Sequence, residues 1–96
     1  MKVLFSKRAE GGLDKIFSHV VKNFSPKKAQ AVRNEIVASI LKLCRFPEIG
    51  LKIAGQADKR VLVVAGNLIV YEIVLQAEPI IVVRNIRPRH MDGKKI

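Results

Sequence analysis

The residues of this chain best equipped for chemistry are its cations. Arg84, Arg87 and Arg89 crowd together near the C-terminal end, and Lys59 and Arg60 form a second basic pair in mid-chain. Guanidinium and ammonium groups grip phosphate and carboxylate oxygens through charge-assisted hydrogen bonds, with arginine able to bind both oxygens of one group. Eighteen Lys and Arg stand against eight Asp and Glu, for a net charge of +10. A field of that sign attracts nucleic acid, ribosomes or an acidic protein partner alike. The charge alone does not choose among them.

Other chemistry is thinly represented. His90 titrates in the useful range for proton transfer, but it sits in a stretch without periodicity. His19 falls near an apolar helical stripe and reads as a packed or half-exposed surface residue. Tyr71 reads as core. Cys44, the only cysteine, lies among Leu41, Leu43 and Phe46 and reads as a small buried hydrophobe. No Cys/His set has metal-ligand spacing. Gly11-Gly12 lacks the Lys that completes a phosphate loop, and Ser6, Ser18, Ser25 and Ser39 have no evident His–Asp partners. The sequence therefore implies no metal and no cofactor. Lys27 and Lys28 open a helix where they oppose its dipole, so they gain nothing locally and read as solvated.

Ninety-six residues suit a single domain, residues 1–96, with about 88–96 as a flexible basic tail. There is no Trp, one Tyr and four Phe, so the core must be mainly aliphatic. The longest apolar stretch, 61–75, is broken by Gly66, Asn67 and Glu72 and falls short of a membrane span. The apolar run at Val3, Leu4 and Phe5 is too short for a secretory signal. A cytoplasmic protein with no membrane partner is expected.

The elements that must position the cations follow from periodicity. Residues 2–6 form a short strand, and Ser6 caps a helix whose apolar stripe is Ala9, Leu13, Ile16, Phe17, Val20 and Phe24. Gly11 and Gly12 weaken its first turns. Ser25-Pro26 restarts the helix with a cap and a proline at its first position. The second stripe runs through Ala29, Val32, Ile36, Ile40 and Leu43 until Pro47 stops it. Residues 51–60 read as a loop. Strands are expected over 61–65, 68–75 and 80–86, the first two joined by Gly66-Asn67 as a type II′ turn. The architecture is α+β: an N-terminal short strand and an antiparallel two-helix hairpin packed on one face of a small antiparallel β-sheet. Ile69, Tyr71, Ile73 and Leu75 share one strand face, and Glu72 marks the other as the open one. Arg84, grouped with Ile80, Val82 and Ile86, is expected near Glu72.

This order of elements is similar to the RelE/ParE superfamily of type II toxin–antitoxin toxins. The most specific likeness is Phe46-Pro47-Glu48-Ile49-Gly50 directly after the second amphipathic helix. Val70-Tyr71-Glu72-Ile73 resembles the family's tyrosine-containing strand, and Val82-Val83-Arg84 running into Arg87 and Arg89 resembles its closing strand. The resemblance covers the chain from Val3 to about Arg89.

What the resemblance implies is a toxin held inactive by a cognate antitoxin, in a toxin–antitoxin hetero-oligomer. Two activities are then open. RelE-like members cleave mRNA on the ribosome, and for that reading Arg60, Arg84, Arg87 and His90 are the catalytic candidates. ParE-like members inhibit DNA gyrase without being nucleases. The arginine that many RelE-like members carry three residues before the strand tyrosine is Leu68 here. The histidine three residues after the closing-strand arginine is Arg87, and no tyrosine follows. These departures favour the ParE-like reading. For either, Arg84, Arg87, Arg89, Lys59 and Arg60 are the candidate residues for binding a partner or nucleic acid. A degenerate, non-toxic basic nucleic-acid-binding module is the remaining alternative.

Overall fold

The computed structural model describes residues 1–89. A short strand β1 (Lys2–Phe5) leads into helices α1 (Lys7–Asn23) and α2 (Pro26–Lys42). Four strands follow: β2 (Leu51–Ile53), β3 (Gln56–Val64), β4 (Asn67–Val74) and β5 (Ile80–Pro88). They form one five-stranded sheet in the order β1-β5-β4-β3-β2. The sheet is mixed rather than purely antiparallel, because β1 lies parallel to β5, Lys2 beside Ile80 and Phe5 beside Val83.

Both helices begin as the sequence requires. Ser6 Oγ accepts from the Ala9 amide and Ser25 Oγ from the Lys28 amide, each satisfying a helical N–H that has no partner in the first turn. Two residues separate the helices, so they pack antiparallel to one another, and α1 packs on β5. Ala9, Leu13 and Ile16 of α1 and Ile36 and Ile40 of α2 join Leu43, Ile69, Tyr71, Ile81, Val83 and Ile86 in one buried cluster. Each fully buried aliphatic side chain of this kind stabilises the fold by about 1.5–3 kcal/mol. The tyrosine face of β4 is thus the one beneath the helices. Leu75 is the exception on the expected face: it lies past the strand end and is exposed.

Three local expectations are corrected. Residues 51–60 are not a loop, since β2 turns back on β3 with Leu51 opposite Val61. The β3–β4 hairpin turns on Ala65-Gly66, both at positive φ (51° and 78°), which is the type I′ pattern rather than type II′. Asn67 is buried in β4, its side-chain amide donating to the Val64 and Ala65 carbonyls, so it braces the turn from within the strand. Last, Ile86 does not share a face with Arg84. Val70 pairs with Asn85 and Tyr71 with Val83, which leaves Arg84 as the extra residue of a β-bulge. The bulge shifts the alternation by one, so Val83 and Ile86 both enter the core.

Candidate functional site

The bulge decides where the arginines go. Arg84 and Arg87 are three residues apart, and a regular strand would send them to opposite faces. With one extra residue inserted, Arg84, Asn85 and Arg87 all belong to the face opposite the helices. Glu72 shares this face, and Arg84 Nε donates to its Oε1 in an ion pair. Lys59 lies directly across from Glu72 on β3. The expected meeting of Arg84 and Glu72 is therefore present, and the bulge adds Arg87.

The edge of β5 beyond the bulge is taken over by α1. β1 covers β5 only from Ile80 to Val83. The Ser6 amide donates to the Val83 carbonyl, and Ser6 Oγ donates to the carbonyl of Arg84. Further along, Gly12 approaches so closely that a Cβ there would fall 1.9 Å from the Ile86 carbonyl oxygen. Gly12 is thus fixed by contact with the sheet backbone. A Cβ at Gly11 would meet nothing within 4 Å, because that residue opens onto a cleft.

That cleft, about 830 Å³, has a helix wall of Arg8, Gly11, Gly12 and Lys15 and a sheet wall that includes Lys59, Arg84, Asn85 and Arg87. Residues 8, 11, 12 and 15 follow the i, i+3, i+4, i+7 spacing of one helix face. Two cations flank two glycines on that face. Among the described residues, five cations line the cleft and no acidic side chain does. Glu72 is close by but is engaged with Arg84. Arg8, Lys15 and Lys59 have no acidic partner among the described residues.

Of the basic residues singled out from sequence, the structure brings Lys59, Arg84 and Arg87 together. It separates Arg60, which lies across from Tyr71 on the opposite face of the sheet. Arg60 Nη1 donates to the Glu48 and Gly50 carbonyls at 3.2 and 2.8 Å. Arg89 is exposed just past β5, its amide bonded to the Gly66 carbonyl. His90 and most of the expected tail, residues 90–96, lie outside the described residues. His19 is an exposed α1 residue bonded to Asn23. Arg8 and Lys15 are the cleft residues that the sequence reading missed. Their helical spacing about Gly11-Gly12 was the available signal.

Tyr71 is fully buried and its hydroxyl is doubly engaged, accepting from the Gly50 amide at 2.9 Å and donating to the Pro47 carbonyl at 2.7 Å. Burial pushes its pKa up from the ordinary 10.0, against the lowering influence of the Gly50 hydrogen bond and the Arg60 charge. The turn after α2 and the strand tyrosine are therefore one hydrogen-bonded unit, with Arg60 as its third member.

Among the described residues no group of three or more His, Cys, Asp or Glu is placed to hold a metal ion. None of the described helices is long and apolar enough to cross a membrane. The family described as "ParE toxin of type II toxin-antitoxin system, parDE" matches residues 3–93. A search of curated proteins gives no match. Among solved structures the chain is similar to one described as "Chromosomal ParDE TA system from P. aeruginosa", with a TM-score of 0.76 and 21% identity. That superposition covers 92% of this chain and 95% of the other. At this identity the likeness shows the fold.

Proposed function

We propose that this chain, which belongs to the ParE toxin family of type II toxin–antitoxin systems, arrests bacterial growth by inhibiting DNA gyrase and is not a nuclease. The observation that carries the reading is the engagement of Tyr71. Cleavage of RNA at a 2′-hydroxyl needs a group that takes a proton and another that returns it. Tyr71 is sealed in the core with its hydroxyl bonded at both ends. Among the described residues, which do not include His90, the polar side chains lining the cleft are Arg, Lys, Gln and Asn, without His, Tyr or a carboxylate. Its cations can hold a phosphate, but Leu68 stands where RelE-like members carry a further arginine, and it pairs across the sheet with Arg87.

A cognate antitoxin is the expected partner, in the cytoplasm and in a toxin–antitoxin hetero-oligomer. The face opposite the helices suits such a partner. Leu4 and Val63 are about half exposed on it, with Val61, Leu68, Val70, Val74 and Val82 partly buried around them. Apolar contact there supplies affinity, while an acidic antitoxin segment meeting Arg84 and Arg87 speeds encounter.

The test is inducible expression in a bacterium, with growth, mRNA integrity and plasmid supercoiling followed together. Arrest with intact mRNA and disturbed supercoiling is expected. Codon-positioned mRNA cuts that Arg84→Ala abolishes would replace this reading with the RelE-like one. Growth without arrest would leave a degenerate member of the family.

A further inference from the structure

We propose that the cleft between α1 and the end of β5 binds the phosphodiester backbone of duplex DNA, with Arg8, Lys15 and Lys59 as its principal cations. The inference goes beyond gyrase inhibition and borrows one element from it. The choice of DNA over RNA rests on gyrase being the target, whereas the choice of a duplex backbone rests on the cleft itself.

Three observations carry it. First, positive charge is gathered there in excess: among the described residues five cations line the cleft, and the one carboxylate beside it, Glu72, is engaged with Arg84. Arg8 and Lys15 stand two helical turns apart on one wall and Lys59 faces them from the sheet, none with an acidic partner among the described residues. Like charges so placed repel one another unless an anion joins them. Second, the cleft lacks the large exposed hydrophobics that anchor a protein partner, and only its Arg84–Arg87 end borders the face assigned above to the antitoxin. Interfaces between proteins are anchored by exposed apolar and aromatic side chains. The large exposed hydrophobics here, Leu4, Phe46, Ile49, Leu51 and Val63 among them, all lie outside the cleft. Third, no aromatic side chain among the described residues lines it. Single-strand binding relies on bases stacking on aromatic rings, so the cleft offers contacts to phosphates and, among the described residues, no platform on which exposed bases could stack. Gly11 and Gly12 keep the helix wall low between Arg8 and Lys15, which lets a backbone strand lie against both.

Such binding is independent of sequence and steeply salt-dependent. If about four phosphates are neutralised, affinity falls roughly a hundredfold between about 50 and 200 mM salt. The experiment is fluorescence anisotropy of the purified full chain with mixed-sequence duplex DNA, single-stranded DNA and duplex RNA. Arg8→Gln with Lys15→Gln should weaken duplex DNA binding about tenfold or more and reduce the salt slope by about two. Lys27→Gln with Lys28→Gln removes equal charge at the exposed start of α2 and should cost a few-fold at most. Gly11→Glu, whose Cβ meets nothing, puts a carboxylate on the cleft wall and should abolish binding with an unchanged circular-dichroism spectrum. Equal losses from the two lysine- and arginine-directed pairs would overturn the proposal in favour of diffuse charge. So would preference for single strands or for duplex RNA, or displacement of DNA by polyglutamate at matched charge. DNA binding without inhibition of gyrase sinks the gyrase reading alone, and inhibition without DNA binding sinks this one alone.

Discussion

The Tyr71 hydroxyl lies 2.9 Å from the Gly50 amide nitrogen, so a side chain from the centre of the sheet fixes the turn that follows α2. The same oxygen donates to Pro47, and Arg60 closes the unit through the Glu48 and Gly50 carbonyls. A Cβ on Gly50 would sit 2.7 Å from that oxygen and 3.0 Å from the Val61 carbonyl, which leaves glycine as the residue that fits. The turn is consequently held from below while Phe46 and Ile49 remain exposed on it.

Tyr71→Phe keeps the ring and removes both hydrogen bonds, leaving the buried Gly50 amide unpaired. A loss of about 1–3 kcal/mol in unfolding free energy is expected, read from urea denaturation. Gly50→Ala should cost at least as much, since the backbone of β3 and the phenol both block the methyl group. A Tyr71→Phe protein as stable as the parent would show that water replaces the hydroxyl.

The two neighbouring glycines of α1 should respond with opposite signs. Gly11→Ala meets open space and improves helix propensity, for a gain of about 0.5–1 kcal/mol. Gly12→Ala drives a methyl into the Ile86 carbonyl and should cost about 1–3 kcal/mol through displacement of α1. Thermal unfolding of the pair measures both. Destabilisation by both substitutions would mean that Gly11 is also packed.

Much of the fold was legible because its signals are local. Ser6 and Ser25 as caps, the two apolar stripes and the tyrosine face of β4 each follow from spacing or from a single residue type. The bulge at Arg84 was not legible. Val82-Val83-Arg84-Asn85-Ile86 reads as ordinary alternation, and only pairing with β4 reveals the extra residue. The cleft was half legible for the same reason. Lys59, Arg84 and Arg87 were recognised as cations, but Arg8 and Lys15 join them only because β1 stops at Phe5 and lets α1 occupy the β5 edge. Arg60 misled in the opposite way. Adjacent to Lys59 in sequence, it points to the other face and serves the turn.

Ser6 joins the helix start to the bulge, and its two roles can be separated. Ser6→Ala loses the cap on Ala9 and the bond to the Arg84 carbonyl, for an expected cost of about 1.5–3 kcal/mol. Ser6→Asp keeps an acceptor for the Ala9 amide but cannot donate to Arg84 when ionised. It should recover the capping part alone, about 1 kcal/mol. Full recovery by aspartate, measured by chemical denaturation, would show that the Arg84 contact adds nothing to stability.

The Arg84–Glu72 pair contributes little to stability by comparison, since the arginine side chain is 46% exposed. A double-mutant cycle with Arg84→Ala and Glu72→Ala should give a coupling of about 0.2–1 kcal/mol that shrinks with added salt. A coupling well above that range, insensitive to salt, would mean that the pair is shielded from solvent.

Stability should also fall at alkaline pH through Tyr71. Its folded-state pKa is raised above 10.0 by burial, so the folded chain holds the phenol proton more tightly than the unfolded chain does. Above the unfolded value the unfolded state has already released the proton while the folded state retains it. Unfolding is then favoured as pH climbs. The contribution is complete below about pH 10 and is lost as pH rises through the folded value. Lysines titrate in the same window, so the comparison that isolates the effect is the parent against Tyr71→Phe, unfolded in denaturant at a series of alkaline pH values. The parent should lose stability more steeply. Because Tyr71 is the only tyrosine and there is no tryptophan, phenolate absorbance follows this one group directly in the folded protein. A titration midpoint at or below the ordinary value would mean that burial does not outweigh the Gly50 hydrogen bond and the Arg60 charge, and the expected alkaline loss of stability would have to be abandoned.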